Sequence, residues 1–256
     1  MTPVLPAGVA HRAFAEIDST NEEAKRLGEA GEAGPLWITA ERQTAGRGRR
    51  GREWVSPTGN FMGTLFLRPQ AAPRKAAELS FVAALAVHDA VDGLLPPSLR
   101  PALKLKWPND LLHEGRKLAG ILLESSGIAG GELAWLAIGI GINLAQYPDK
   151  VEFPATSLAA LGIPDVTPME ALERLATAFD RRIAQWRDVQ GFAAIREAWL
   201  TRAAGVGETI IVRLADETFE GLFVGLAPDG ALEVRIPSGE MRQISAGDVF
   251  FRRASH

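Results

Sequence analysis

The chain has 256 residues, of which 46% are hydrophobic and 23% are charged, so it can bury a core without covalent staples. Its net charge of −3 provides no global attraction for nucleic acid. It has no cysteine, which excludes disulfides, thiolate metal sites and thioester intermediates. Any acyl transfer therefore needs another activated carrier, such as a phosphate.

The N-terminal segment, MTPVLPAGVAHRAF, contains two prolines and lacks the apolar run of a signal peptide. No later segment approaches the roughly 20 apolar residues that a membrane helix needs. We therefore expect a soluble, cytoplasmic protein that has no membrane partner.

The first half of the chain predicts mixed helices and strands. Ser19 and Glu22 have the spacing of a capping box, which predicts a helix from there to about Leu27. Broad helical periodicity predicts one core helix over 76–95. Apolar runs predict strands over 36–40, 60–67, 103–112, 117–124 and 132–144. The residues 113–116, with Gly115, predict a turn between two of these strands.

The second half changes character near residue 205. Amphipathic helices are predicted over 168–189 and 192–203. Short alternating runs, broken by Gly, Pro and Asp, follow at 209–214, 218–226, 231–236, 241–245 and 249–252. Their spacing is typical of a small β-barrel. We predict an α+β domain over 1–204 and a barrel over 205–256.

The most unusual segment is GRGRRGR at 46–52, here called the arginine–glycine loop. Its four arginines repel one another, so we expect an empty loop to be loose. Glycines let a backbone approach a ligand closely, and guanidinium groups bind phosphate oxygens with forked hydrogen bonds. A polyphosphate could therefore order the loop.

Other interpretations of this loop compete. Its glycines match GxGxxG, but no helix pattern follows and no acidic residue lies between Glu53 and Glu78, which argues against a dinucleotide fingerprint. A kinase glycine loop would need HRD and DFG motifs, which the chain lacks. A nucleic-acid-binding loop and a merely solvated loop stay open.

Five segments together resemble the biotin protein ligase family. They are Ser19–Asn21, the run from Glu41 to Arg52 with Trp54, Lys106–Asp110 (KWPND), Arg116–Ile121 (RKLAGI) and Gly139–Asn143 (GIGIN). They occur in the family's order and at similar spacing, from about residue 14 to 145. The resemblance implies a mixed β-sheet flanked by helices, the class II synthetase-like or biotin–lipoate ligase fold, with an SH3-like C-terminal barrel.

The resemblance implies a reaction in two steps. The biotin carboxylate attacks the α-phosphate of MgATP, which gives biotinyl-5′-AMP and pyrophosphate. A lysine of a biotin carboxyl carrier protein, of acetyl-CoA carboxylase or a related carboxylase, then attacks the anhydride and releases AMP. Biotin, ATP and Mg²⁺ are the implied ligands, and a homodimer is left open.

The resemblance also implies residue roles. The implied biotin-binding residues are Ser19, Thr20, Asn21, Gln43, Arg47, Gly48, Arg49, Lys117, Gly120, Gly139 and Gly141. The implied nucleotide-binding residues are Arg49, Arg52, Trp54, Lys106, Asn109 and Asn143, with Asn109 and Asp110 near a magnesium that stays bound mainly to phosphate and water. Lys117 and Arg49 are the implied catalytic residues, because fixed cations stabilise charge developing on phosphate oxygens.

Structural explanations remain open for several of these residues. Ser19, Thr20 and Asn21 fit a helix N-cap, and Gln43 fits a surface position before a loop. Ordinary packing would explain Trp54, a solvated strand end would explain Lys117, and a rigid turn would explain the segment around Pro108. The four histidines have no metal-site spacing.

Two departures from the family pattern affect the expected function. The segment before Asp18 is too short for the winged helix-turn-helix of many bacterial relatives, so we expect a ligase that does not bind DNA. Relatives often have a serine near Gly63 and Thr64, so the pocket floor is expected to differ. A lipoate or octanoate ligase, and a non-enzymatic nucleic-acid-binding protein that uses the arginine–glycine loop, are the alternative functions.

Overall fold

The computed structural model describes residues 2–69, 71–126, 128–129, 131–149 and 151–251, with backbone only at 128–129. A seven-stranded sheet forms the centre of the larger unit. Its strands are β1 (Ala10–Ile17), β2 (Leu36–Gln43), β3 (Phe61–Leu67), β4 (Leu103–Lys106), β5 (Asp110–His113), β6 (Arg116–Ser125) and β9 (Leu136–Ile142). Between β6 and β9 the chain forms a separate pair of short strands. The short pair is β7 (Ile128–Ala129) with β8 (Glu132–Leu133). The sheet order is β1-β2-β3-β9-β6-β5-β4, with β1 and β2 parallel and the other pairs antiparallel.

Helices cover both faces of this sheet. They are α1 (Thr20–Glu29), α2 (Pro73–Ala77), α3 (Leu79–Asp92), α4 (Pro168–Arg187) and α5 (Gly191–Leu200). Successive strand residues face opposite sides, so Trp37 of β2 joins the main core with α3 and α4, whereas Ile38 joins a smaller cluster with Ala24 of α1. The mixed sheet flanked by helices is the predicted fold class, and it is confirmed.

Several predicted elements have different limits. The predicted strand 103–112 is two strands, β4 and β5, because a turn around Pro108 interrupts it. The predicted helix 76–95 is α2 followed by α3, and α2 begins at Pro73, since proline suits the first helical position. The predicted strand 132–144 is broken because the N–H groups of Ala134 and Trp135 donate to Ser126 Oγ.

Strand β1 has no counterpart among the predicted elements. Its sequence, AHRAFAEI, mixes charged and small residues and is only partly buried. Its partner β2 supplies a parallel ladder from Ala10–Leu36 to Ile17–Gln43, with α1 as the connection. Tertiary pairing therefore outweighs a weak local pattern here.

The C-terminal unit is a five-stranded antiparallel sheet. Its strands are β10 (Thr209–Arg213), β11 (Thr218–Leu226), β12 (Leu232–Arg235), β13 (Met241–Ile244) and β14 (Asp248–Phe251), in the order β13-β12-β11-β10-β14. All five predicted strands are present, although Arg252 lies outside the described residues. Over the residues described, β13 and β14 do not pair with each other, so the sheet is not a closed barrel.

Buried residues of the C-terminal sheet, such as Ile210 and Phe223, belong to the same core cluster as those of the larger unit. The boundary near 205 stays a prediction. Among the described residues, no helix is both long enough and apolar enough to cross a membrane.

Candidate active site

One cavity, of about 280 Å³, lies where the N-terminus of α1, the strands β6 and β9, the arginine–glycine loop and the start of β14 meet. Every site residue predicted from the sequence lines it. These are Ser19, Thr20, Asn21, Gln43, Arg47, Gly48, Arg49, Arg52, Trp54, Lys106, Asn109, Asp110, Lys117, Gly120, Gly139, Gly141 and Asn143. Residues far apart in the sequence therefore form one site, which is large enough for a small ligand.

A hydrogen-bond network holds the N-terminus of α1 against the cavity. Gln43 Oε1 accepts a hydrogen bond from Thr20 N (2.8 Å) and lies 3.1 Å from Thr20 Oγ1. Thr64 Oγ1 lies 2.6 Å from Asn21 Oδ1 and donates to it, since that oxygen can only accept. Asn21 Nδ2 in turn donates to Glu124 Oε2 (2.7 Å). The network fixes the orientation of each of these polar side chains.

The predicted capping box is wrong, although Ser19 does occupy the N-cap of α1. Its side chain makes no capping hydrogen bond. The carboxylate of Glu22, which would complete the box, instead pairs with Arg47 of the arginine–glycine loop. Ser19 is buried at the cavity wall, so its hydroxyl is left for a ligand rather than for the helix.

A β-bulge directs Lys117 into the cavity. In the pairing of β5 with β6, Leu111 faces Ala119 but Leu112 faces Lys117, so Leu118 is an extra residue. In a regular strand, residues 117 and 120 would face opposite sides. Here the Cβ position of Gly120 lies 3.2 Å from Lys117 Nζ, and both residues line the cavity.

Two lysines share one buried carboxylate. Asp110 Oδ1 lies 2.6 Å from Lys117 Nζ, and Asp110 Oδ2 lies 3.5 Å from Lys106 Nζ. Burial alone would raise the pKa of Asp110, but the charges of the two lysines outweigh it and hold that pKa below its ordinary value. One carboxylate between two ammonium groups leaves a net positive charge in the cavity wall, which suits an anionic ligand.

Lys106 is nearly buried, which lowers its pKa because the charged form loses solvation. Its ammonium group lies 3.5 Å from the ring centre of Phe153. Phe153 stacks on Phe250 of β14, with ring centres 4.7 Å apart. The cation thus has Asp110 on one side and an aromatic pair on the other, and the aromatic pair joins the cavity to the C-terminal sheet.

Glycines let two side chains lie directly on the sheet. A Cβ at Gly141 would be 2.3 Å from the ring of Trp54, and one at Gly120, its partner in the ladder, would be 3.0 Å from the same ring. A Cβ at Gly139 would be 2.4 Å from Asn21 Oδ1. These positions have to be glycine because Trp54 and Asn21 occupy the space.

The arginines of the loop all have acidic partners, so the expectation of a loose, self-repelling segment is wrong. Arg49, Arg50 and Arg52 lie 3.8, 3.0 and 2.7 Å from carboxylate oxygens of Asp248 on β14. Arg47 instead forms ion pairs with Glu22 of α1 and Glu124 of β6. Desolvation lowers the pKa of Arg49. The loop is therefore held over the cavity by carboxylates from other elements.

Two amide side chains close the remaining wall. Asn109 Nδ2 donates to Ile121 O (2.6 Å), while its Oδ1 accepts from Arg49 (3.4 Å). Asn143 Nδ2 donates to Thr156 O (3.0 Å). Asp110 is likewise engaged by both lysines. Because these side chains already have hydrogen-bond or ion-pair partners, they fit a magnesium ion that arrives with the nucleotide and keeps phosphate and water as its ligands.

Within the part of the chain that the structure describes, no group of three or more His, Asp or Glu residues is arranged to hold a metal ion. The role of Asn109 and Asp110 near magnesium stays a prediction.

The sequence did not predict Asp248 or Glu152 as site residues, and it marked Thr64 only as part of a departure from the family pattern. Asp248 and Glu152 line the cavity and pair with the arginine–glycine loop. Thr64, fully buried, connects Thr20 to Asn21. Asp248 lies 196 residues from Arg52, and nothing in its local pattern, SAGDVFF, distinguishes it from an ordinary turn residue.

Comparison with known proteins agrees with this geometry. Residues 13–143 match the Biotin/lipoate A/B protein ligase family, and residues 205–252 match the Biotin protein ligase C terminal domain. The chain is 51% identical over 243 residues to the biotin–[acetyl-CoA-carboxylase] ligase of Paracoccus denitrificans, a match that covers 93% of this chain and 99% of that protein. The chain belongs to the biotin protein ligase family. The resemblance inferred from the five segments is thereby confirmed.

Other family members match along nearly the whole chain. The bifunctional ligase/repressor BirA of Escherichia coli is 31% identical over 243 residues, which cover 93% of this chain and 73% of that protein. The biotin protein ligase of Aquifex aeolicus, solved in complex with biotin and ATP, superposes with a TM-score of 0.78 at 27% identity and covers 96% of this chain and 99% of that chain. The fold of the family therefore extends over nearly the whole chain.

Proposed function

We propose that this chain activates biotin with ATP to form biotinyl-5′-AMP and transfers the biotinyl group to a lysine of a biotin carboxyl carrier protein. The observation that carries the proposal is the single cavity, which combines a hydrogen-bonding end at α1 with a cationic end formed by Lys117, Lys106 and Arg49. A polar uncharged head group fits the first end, and phosphates fit the second.

Biotin recognition is assigned to the α1 end of the cavity. Ureido recognition needs both donors and acceptors, and the side chains of Ser19, Thr20 and Gln43 supply both. Asn21 has its amide committed to Thr64 and Glu124, so we assign it a supporting position rather than a free hydrogen-bonding one. The absence of a Cβ at Gly139 and Gly141 lets Asn21 and Trp54 pack against the sheet beside this end.

The adenylate is assigned to the arginine–glycine loop and the surface of Trp54. The flat indole ring lies over Gly120 and Gly141 and faces the cavity. Arg49 and Arg52 can exchange their carboxylate partners on Asp248 and Glu152 for phosphate oxygens, since forked guanidinium contacts suit both anions. When MgATP is bound, its magnesium supplies charge neutralisation at the phosphates.

Lys117 is assigned the central electrostatic role in adenylation. Its ammonium group lies between Asp110 and the ring of Trp54, with its nitrogen 5.4 Å from the ring centre. A fixed cation there holds the biotin carboxylate and the α-phosphate together, which repel each other in water, and stabilises charge developing on the phosphate oxygens. The carboxylate is already ionised at neutral pH, so no general base is required.

The deciding experiment is pyrophosphate exchange with biotin, lipoate or octanoate as the acid. We expect labelled pyrophosphate to enter ATP with biotin alone, because only biotin has ureido groups for the α1 end. Exchange with lipoate or octanoate but not biotin would favour the related ligases instead. Salt-sensitive nucleic-acid binding without any exchange would favour the non-enzymatic alternative.

A second prediction concerns retention of the adenylate. Arg49→Ala should speed the release of biotinyl-AMP by about 10-fold or more, since one charged hydrogen bond to phosphate contributes about 1.5–3 kcal/mol. The released anhydride would then label lysines of bystander proteins, which a streptavidin blot with added serum albumin would detect. Arg74→Ala is the matched control, because Arg74 is an exposed arginine outside the cavity. Unchanged release by Arg49→Ala would remove the residue from this role.

The remaining assignments rest on the family alone. We propose acetyl-CoA carboxylase as the source of the carrier protein, and the cytoplasm as the compartment, because ATP is available there. We propose residues 1–204 as the catalytic domain and 205–256 as a small accessory one. A homodimer, which the sequence left open, also stays a prediction.

A further inference from the structure

Ser56 lies behind the cavity wall and touches the two parts of the site at once. It is almost fully buried and is not among the residues that line the cavity. Its Oγ lies 3.0 Å from Gln43 Nε2 and 3.0 Å from the backbone oxygen of Trp54. Gln43 belongs to the biotin end, and Trp54 follows the arginine–glycine loop, so one hydroxyl links both.

The directions of three hydrogen bonds, from Ser56 to Trp54, from Gln43 to Ser56 and from Thr20 N to Gln43, follow from the chemistry of the groups. The Trp54 carbonyl oxygen can only accept, so the single proton of Ser56 points to it and the Ser56 oxygen is left as an acceptor. Gln43 must therefore present its NH₂ group to Ser56. At the other end, Thr20 N can only donate, so it requires Gln43 Oε1. The two ends select the same orientation of the amide.

This orientation leaves Gln43 with one unused donor. One N–H of its NH₂ group goes to Ser56, and its oxygen already accepts from Thr20 N. The second N–H remains for a ligand in the cavity that Gln43 lines. A flipped amide would place its oxygen against the Ser56 oxygen, whose proton is directed to Trp54 O, and its NH₂ group against the N–H of Thr20, which can only donate.

We propose that Ser56 is a positioning residue for biotin recognition: it fixes the Gln43 amide so that Nε2 donates to an oxygen of biotin. The inference rests on the proposed function and extends it to a residue that the ligand does not touch. The packing supports it, because a Cβ at Gly46 would lie 2.7 Å from Ser56 Oγ, 2.6 Å from Trp54 O and 3.1 Å from Gln43 Nε2. The base of the arginine–glycine loop is therefore closely packed around this hydroxyl.

The test compares Ser56→Val with Ser56→Thr, which have the same shape and differ in the hydroxyl. We expect Ser56→Val to raise the Kd for biotin, measured by isothermal titration calorimetry, about 10-fold relative to Ser56→Thr. In pyrophosphate exchange the KM for biotin should rise by a similar factor, while the KM for ATP stays within about twofold. Equal biotin affinities of the two variants would overturn the inference.

A double-mutant cycle separates positioning from general packing. If Ser56 acts through Gln43, then Ser56→Val should change the Kd for biotin less than about twofold in a Gln43→Ala background. Full additivity of the two changes would overturn the inference. Ser126→Val is the matched control, since Ser126 Oγ likewise takes part in two hydrogen bonds, which it accepts from the N–H groups of Ala134 and Trp135, but lies outside the cavity lining. It should lower the Tm and leave the Kd for biotin unchanged.

Biotin binding and pyrophosphate exchange by the wild-type chain distinguish failure of the proposed function from failure of the role proposed for Ser56. If the wild-type chain neither binds biotin nor supports exchange, the proposed function fails. If it does both, and Ser56→Val binds biotin as tightly as Ser56→Thr, only the role of Ser56 fails.

Discussion

Replacing Lys117 with alanine should slow biotin-dependent pyrophosphate exchange by about 10²- to 10³-fold, the loss typical when one preorganised group that stabilises a transition-state anion is removed. The Tm should change by only a few degrees. Lys117 retains partial solvent exposure, and Asp110 still has Lys106 as a partner when Lys117 is absent. Stopped-flow or exchange kinetics and thermal unfolding of the same preparation measure both quantities.

Lys104→Ala is the matched control for this variant, because Lys104 is an exposed lysine on β4 outside the cavity lining. It should leave both the exchange rate and the Tm near their wild-type values. If Lys117→Ala lost activity only in proportion to a large fall in Tm, the lysine would be a structural residue. A wild-type exchange rate in a folded Lys117→Ala chain would remove it from the reaction altogether.

Replacing Asp110 with asparagine should lower the free energy of unfolding by about 3–5 kcal/mol, the usual cost of leaving a buried charge without its partner. Lys106 is the charge concerned: it is nearly buried, Asp110 is the carboxylate that pairs with it, and the rings of Phe153 and Phe250 lie against its ammonium group. Urea denaturation followed by tryptophan fluorescence would measure the loss. Adenylation should also slow, since Lys117 would lose the carboxylate 2.6 Å from its ammonium group.

Removing the unpaired cation provides the control. The double variant Asp110→Asn/Lys106→Met should be more stable than Asp110→Asn, because no buried charge remains.

The difference in the free energy of unfolding between wild type and Asp110→Asn should also depend on pH. The pKa of Asp110 is depressed in the folded chain, so its contribution is present above the ordinary value of about 3.9 and is lost as pH falls through the folded value. Equal stability of wild type and Asp110→Asn at pH 7 would contradict the prediction.

The residue types and their order along the chain were sufficient to predict the family, the fold class and many of the residues that line the cavity. The absence of cysteine excluded thioester chemistry without any structure. The motifs around Gln43, Lys117 and Asn143 were predicted to form one site, and they line one cavity. Such motifs can be recognised because each needs particular residue types at short spacing, and short spacing is visible in a sequence.

Other features of the site depend on contacts between distant segments. Asp248 pairs with arginines about 200 residues away, and the extra residue Leu118 turns Lys117 toward the cavity only because β5 pairs with β6 in a shifted register. Local propensity contains no information about which strand a segment will pair with or which carboxylate it will meet. The sequence by itself therefore determined the family and the fold class and predicted the groups that do the chemistry, whereas only the tertiary structure decided which neighbours hold those groups in position, because hydrogen bonds and ion pairs depend on distances in space and not along the chain.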